Sequence, residues 1–242
     1  MLTLQPLFFL WVGPNVPDFL LVEDTVLYIK LEGYLVKAYR DSSGIWKYDT
    51  LKPLNLGVRR LSLCPPYLHV AYFKKVETYI ADSLVEDYPL LFRVEGMACR
   101  MDTLYLHDGT AIYKKPPNGA PVRIYSAKEG LKQFYLVDTA ILILEGNTLL
   151  LLGDTLIPLM EFEGLGDIAS LSLYGKGYLL MFGNGEIYYY VPGRRKPTAH
   201  LLYEGVNTFK LYGDTLVILK GDSLRCYLLN RGKRVKWKRR RR

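Results

Sequence analysis

Cysteine is scarce in this chain, and the few copies stand far apart. Cys64, Cys99 and Cys226 are the three among 242 residues. They form no CxxC pair, so the spacing offers no zinc site, and an odd, scattered set suggests no disulfide framework. Thiols of this kind fit a reducing, cytoplasmic setting. Histidine is equally thin, at His69, His107 and His200. Their separations match no ligand motif, and a lone histidine on a strand is ordinarily structural. Glutamine occurs only at Gln5 and Gln133, and a shortage of thermolabile amides leans towards a thermophilic source. No run of 18 apolar residues occurs, so no membrane-spanning helix is expected. The apolar start, MLTLQPLFFLWVGP, lacks a basic leader and a small-residue cleavage site and reads as a strand.

Other absences narrow the chemistry. No EF-hand loop, phosphate-binding glycine loop, dinucleotide fingerprint or GxSxG elbow is present. No segment sustains a helical period. Turn residues instead arrive every 6–12 positions, which argues an all-β chain. Twenty tyrosines and nine phenylalanines among abundant Leu and Val point the same way.

What the chain does have is a repeat. A turn dipeptide precedes a short apolar run at Asp24-Thr25, Pro65-Pro66, Asp102-Thr103, Asp138-Thr139, Lys176-Gly177 and Asp214-Thr215, in steps of 41, 37, 36, 38 and 38 residues. A period near 40 marks a repeat architecture. Each repeat divides into four strands, a to d. Strand a precedes the dipeptide (FLLVE, RLSLC, ACRM, QFYLV, SLSLY, TFKLY), and strand b, the most apolar, follows it (VLYIKL, YLHVAYF, LYLHD, AILILE, YLLMFG, LVILKG). Runs this apolar are expected to be buried on both faces. The recurring Asp is a turn residue, because its carboxylate accepts backbone N–H bonds.

By its period, the chain resembles the β-propeller superfamily, without the signature of any family within it. That resemblance implies six blades of four antiparallel strands. It also implies a ring closed by an N-terminal strand, here within residues 1–12, which joins the last blade. Residues 1–230 are then one propeller, and 231–242 a basic C-terminal tail. VKWK, within the tail, is the other candidate for the last blade's d strand.

Charge is segregated. The last twelve residues, RGKRVKWKRRRR, hold nine Lys or Arg and no acid, whereas the preceding chain carries 23 Lys and Arg against 24 Asp and Glu. Such a block neutralises phosphates and releases their counterions, so nucleic acid, RNA or DNA, or a nucleoprotein complex is the expected partner. The candidate contacts are Arg231, Lys233, Arg234, Lys236, Trp237, Lys238, Arg239, Arg240, Arg241 and Arg242. Trp237 is placed to stack on an unpaired base. Arg194, Arg195 and Lys196, and Lys114 and Lys115, are expected in c–d loops on the face from which the tail leaves. The second repeat's c–d loop, ADSLVEDY, is acidic instead. No cofactor, metal or catalytic residue is expected, and the reading is a non-enzymatic scaffold that also offers its propeller face to other proteins. Two alternatives stand beside it: a metal-dependent hydrolase of the lactonase type at the channel mouth, and a protein–protein adaptor whose tail adds solubility.

Overall fold

The structure is a computed structural model. It describes residues 2–11, 19–22, 26–31, 34–41, 43, 46–53, 58–80, 83–162, 164–193 and 197–231. The chain divides into two compact units: Val12–Leu171, and Met1–Trp11 together with Ser172–Arg242.

The first unit holds four four-stranded sheets, each in chain order. They are β2 (Phe19–Val22) to β3 (Val26–Leu31), β4 (Tyr34–Arg40) and β5 (Trp46–Pro53); and β6 (Arg60–Cys64) to β7 (Tyr67–Ala71), β8 (Lys75–Ile80) and β9 (Ser83–Pro89). The third runs β10 (Gly96–Arg100), β11 (Thr103–His107), β12 (Ala111–Lys115), β13 (Val122–Ser126), and the fourth β14 (Leu131–Val137), β15 (Ala140–Glu145), β16 (Thr148–Leu152), β17 (Leu156–Glu161). β18 (Ile168–Tyr174) crosses the boundary between the units and heads a sheet with β19 (Gly177–Phe182), β20 (Ile187–Val191) and β21 (Thr198–Tyr203). In the second unit, β22 (Thr208–Tyr212), β23 (Thr215–Lys220) and β24 (Ser223–Arg231) are joined by β1 (Leu2–Trp11), which pairs antiparallel with β24 from Leu2↔Arg231 to Trp11↔Ser223. Both edges of β24 are thus taken, by β23 and by β1, and VKWK lies outside the described residues. No helix among the described residues is long and apolar enough to cross a membrane.

Burial follows strand position. The second strands are the core: β15 and β23 are almost wholly buried, as are β7 and β11. The fourth strands β9, β13, β17 and β21 are mostly exposed. Facing sheets of the first unit share clusters. Ala71, Val76 and Leu90 pack on Leu104 and Leu106, and Tyr105 and Ile112 pack on Phe134 and Ile143. A side chain sealed on both faces gains about 1.5–3 kcal/mol if large and apolar, which is why the b runs tolerate so little polarity.

The hairpins fall close to their expected places. Asp138-Thr139 turns as read, with Asp138 at φ 46°, and Pro65-Pro66 links Cys64 to Tyr67 across a cis bond. Three others sit one residue earlier, at Met101-Asp102, Gly175-Lys176 and Gly213-Asp214, where the first residue takes the positive φ. The register explains it. Arg100 faces Thr103 and Tyr212 faces Thr215, so the β-branched threonine opens the strand and leaves the turn to its neighbours. Asp24-Thr25 lies outside the described residues.

The cysteine reading is corrected. Cys64 and Cys99 form a disulfide with their Cα atoms 6.0 Å apart, and Cys226 is a buried thiol outside any disulfide. The two half-cystines are 35 residues apart, about one repeat. One ends β6 and the other sits near the end of β10, so equivalent strands of neighbouring sheets bring together residues that spacing alone had set far apart.

Candidate functional site

Most of the residues expected to bind nucleic acid, namely Arg194, Arg195, Lys196 and 233–242, lie outside the described residues. Arg231 is the last residue of β24, so the tail begins where that strand stops pairing with Leu2. Lys114 and Lys115 are strand residues rather than loop residues. Lys114 is exposed, but alternation turns Lys115 inward, where it is only 3% exposed. It is a structural cation and not a free contact for phosphate.

Lys115 closes a polar seam between the second and third sheets. Ser62, His69, Thr78 and Glu86 stand opposite one another across β6, β7, β8 and β9, one row on one face of the sheet. From the neighbouring sheet, Lys115 Nζ reaches Glu86 Oε1 at 2.6 Å and lies 4.6 Å from the centre of the Tyr88 ring. Cys99 Sγ accepts a hydrogen bond from the Ser62 hydroxyl. His69 Nδ1 is 3.0 Å from Thr78 Oγ1, and His69 Nε2 is buried with no hydrogen-bond partner among the described residues. Burial chiefly, with Lys115 adding and Glu86 opposing, pushes the His69 imidazole down to about 4. His107 is likewise held near 4, by burial and then by Arg60, and its Nδ1 accepts the Gly109 N–H. A Cβ at Gly96 would fall 2.1 Å from His107 Nε2, so that strand position requires glycine. Both imidazoles are neutral core groups at neutral pH.

Beside the seam is a cavity of about 400 Å³ walled by Tyr88, Leu90, Leu91, Phe92, Tyr113 and Pro121. Its size suits a small ligand or a short peptide segment. Phe92 stacks on Tyr113 with ring centres 4.0 Å apart. Tyr113 donates its phenol to Asp108 Oδ2, and Asp108 Oδ1 takes the N–H groups of Thr110 and Ala111 and the Thr110 hydroxyl. Burial works against the charge on Asp108, but these bonds outweigh it and hold the carboxyl below its usual range. The same carboxylate raises the Tyr113 phenol, after burial. The walls of the cavity present apolar side chains, aromatic rings and the phenols of Tyr88 and Tyr113, so they offer apolar and ring contact. Among the described residues no group of three or more His, Cys, Asp or Glu is placed to hold a metal.

Sequence reading missed both features. Lys115 looked like half of a basic pair, and its burial depends on a carboxylate 29 positions away. The cavity joins residues of the β9–β10 connection to the β12–β13 connection, which no local pattern links.

No family model matches the chain, and no curated protein matches it in sequence. Solved structures match it in fold. It is similar to virginiamycin B lyase from Staphylococcus aureus, with 12% identity over 90% of this chain and 81% of the lyase, at a TM-score of 0.63. A chain in the crystal structure of the mitotic checkpoint complex shares 13% identity over 88% of this chain and 76% of its own, at 0.58. The N-terminal domain of Nup159 shares 8% identity over 94% of this chain and 95% of that domain, also at 0.58. Likeness at such low identity is likeness of fold, and the chain is an all-β protein of the β-propeller type, built of four-stranded antiparallel blades.

Proposed function

We propose that this protein is a non-enzymatic binding scaffold that docks on nucleic acid, or on a nucleoprotein complex, through its basic C-terminal tail. The observation that carries the proposal is charge segregation: nine Lys or Arg and no acid in the last twelve residues, on a chain otherwise close to balance. The scaffold we propose is one ring of six blades, with β1 closing it as the outer strand of the last blade. A register shift supports this. Each third-to-fourth strand pair carries one, at Leu35/Val36, Thr78/Tyr79, Ile112/Tyr113, Leu149/Leu150 and Ile187/Tyr188, and β1 carries one against β24 at Pro6/Phe8. β1 therefore behaves like the fourth strand of a blade.

The test compares the full chain with a chain ending at Arg231, using fluorescent single-stranded RNA and DNA and a duplex across a salt series. The full chain is expected to bind with a log–log salt slope of up to about −6 on single strands if all nine cations engage, and the truncated chain to lose most affinity. Equal binding by both proteins overturns the proposal. The second reading, a protein adaptor, is favoured by the ring-walled cavity. In that case substitutions at Phe92 and Tyr113 release a protein partner while removal of the tail does not.

A further inference from the structure

The connection between β9 and β10 has a second side. Leu90 and Val94 are buried in the core and Phe92 stacks on Tyr113, whereas Arg93 and Glu95 turn to the β7–β8 hairpin. Phe73 stands at the tip of that hairpin and is 47% exposed. Two guanidinium groups lie over its ring, Arg93 at 5.0 Å and Arg59 at 5.6 Å from the centroid. Glu95 holds both: its carboxylate is 2.5 Å from Arg93 Nε and 3.7 Å from an Arg59 terminal nitrogen. Lys74, next to Phe73, is exposed, and its ammonium has no partner among the described residues.

The cluster is fastened by backbone. The Val94 N–H donates to the Phe73 carbonyl at 3.1 Å and the Leu90 N–H to the Lys74 carbonyl at 2.8 Å, so the loop and the hairpin move as one. The Arg59 N–H donates to the Ala71 carbonyl, and Arg60 bridges the carbonyls of Arg59 and Glu95. A half-exposed aromatic ring, two guanidinium planes against it and a free ammonium are therefore held in place before any ligand arrives. Three cations to one carboxylate leave the group positive. A cation against an aromatic face gains about 0.5–1 kcal/mol at an exposed site, and each guanidinium still has outward N–H groups to give an anion.

We infer that this cluster is a contact point for single-stranded nucleic acid: an unpaired base packs on the Phe73–Arg93 stack, and neighbouring phosphates are taken by Lys74 and Arg59. Base–aromatic stacking tolerates any sequence, because every base has a flat face, and arginine contributes to the same stack. A duplex keeps its bases stacked on each other and offers none to Phe73. An anionic lipid surface engages cations but has no planar partner for the ring. The inference rests on the nucleic-acid reading of the protein. It puts a contact on the hairpin side formed by b–c turns and d–a connections, whereas the loops singled out from sequence are c–d loops.

The test uses the full chain, the chain ending at Arg231, and each with Phe73→Ala, Phe73→Tyr or the pair Arg93→Gln and Lys74→Gln. Binding is read with a single-stranded oligonucleotide carrying 2-aminopurine, whose fluorescence falls on stacking. Phe73→Ala is expected to lower affinity about tenfold and to abolish the quenching, and Phe73→Tyr to keep both. The Arg93/Lys74 pair is expected to reduce the salt slope by about 0.7, through loss of the Lys74 phosphate contact, and to weaken the quenching through loss of Arg93 from the stack. Because Phe73 is half exposed, the variants should melt with the parent, which separates lost binding from lost folding. If the full chain binds and Phe73→Ala matches it in affinity and quenching, the inference fails while the tail reading stands. If the truncated chain binds as tightly as the full chain and in a Phe73-dependent way, the inference stands and the tail reading fails. Equal affinity for duplex, for inorganic polyphosphate or for anionic vesicles, with no quenching, overturns the stacking site. No binding by the full chain overturns both.

Discussion

Lys115 shows how far one residue can be from its apparent meaning. Next to Lys114 it reads as a surface charge, yet it is buried against Glu86 and the Tyr88 ring. Glu86 is partly exposed, so removing it leaves the Lys115 charge poorly solvated at a cost of about 1–3 kcal/mol. Glu86→Gln should therefore destabilise the protein by that order, and adding Lys115→Met should return part of the loss. Urea unfolding of the two single variants and the double variant, read as a double-mutant cycle, checks this; additive losses would show no coupling. The buried histidines set a pH dependence. Their ordinary value is 6.5 and the folded value about 4, so as pH falls from 6.5 to 4 the unfolded chain takes up protons that the folded chain refuses. Stability is lost across that window, by about 3 kcal/mol for each histidine at its lower end. Denaturation midpoints at pH 7.5, 5.5 and 4.5 should fall more steeply for the parent than for His69→Gln.

At the scale of elements, the disulfide ties β6 to β10 across neighbouring sheets. Closing a loop of 35 residues restricts the unfolded chain by roughly 4 kcal/mol in the chain-entropy model. Replacing both half-cystines with alanine is expected to lower stability by about 2–4 kcal/mol, measured by denaturant unfolding without reductant. An unchanged midpoint would show that the packed sheets already restrict that loop. The hairpins are a second lesson. Four of the six a–b dipeptides contain Asp-Thr, and among those described the threonine opens the strand at Thr103 and Thr215 but stays in the turn at Asp138-Thr139. The motif announces a hairpin, and the ladder decides which two residues turn.

For the whole molecule, β1 is the element with the longest reach in sequence. It adds to β24 more than 200 positions away, and Asn230 donates its side-chain amide to Gln5. Without β1, the outer edge of β24 would present unpaired N–H and C=O groups. A chain lacking residues 2–11 is therefore expected to unfold at a lower denaturant concentration and to associate. Size-exclusion chromatography and unfolding curves test this, and a peptide of residues 2–11 added in trans should restore the monomer. A shortened chain that remains monomeric and equally stable would exclude the closing role.

The sequence alone determined the all-β class, most strand spans to within a few residues and the burial of the second strands; the second repeat is the exception, because SLVEDY, read as part of an acidic c–d loop, lies in the strand β9 paired with β8. Those features depend on local turn chemistry and on apolar runs, which neighbouring residues write out directly. It also determined that the excess charge lies in the last twelve residues. Tertiary structure decided the Cys64–Cys99 bond, the inward turn of Lys115, the cavity and the Phe73 cluster. Each joins residues from different strands or loops, and contacts between such segments depend on how two sheets face each other. A period near 40 announces that sheets will stack, but which side chains meet at a seam is set by register and by side-chain size.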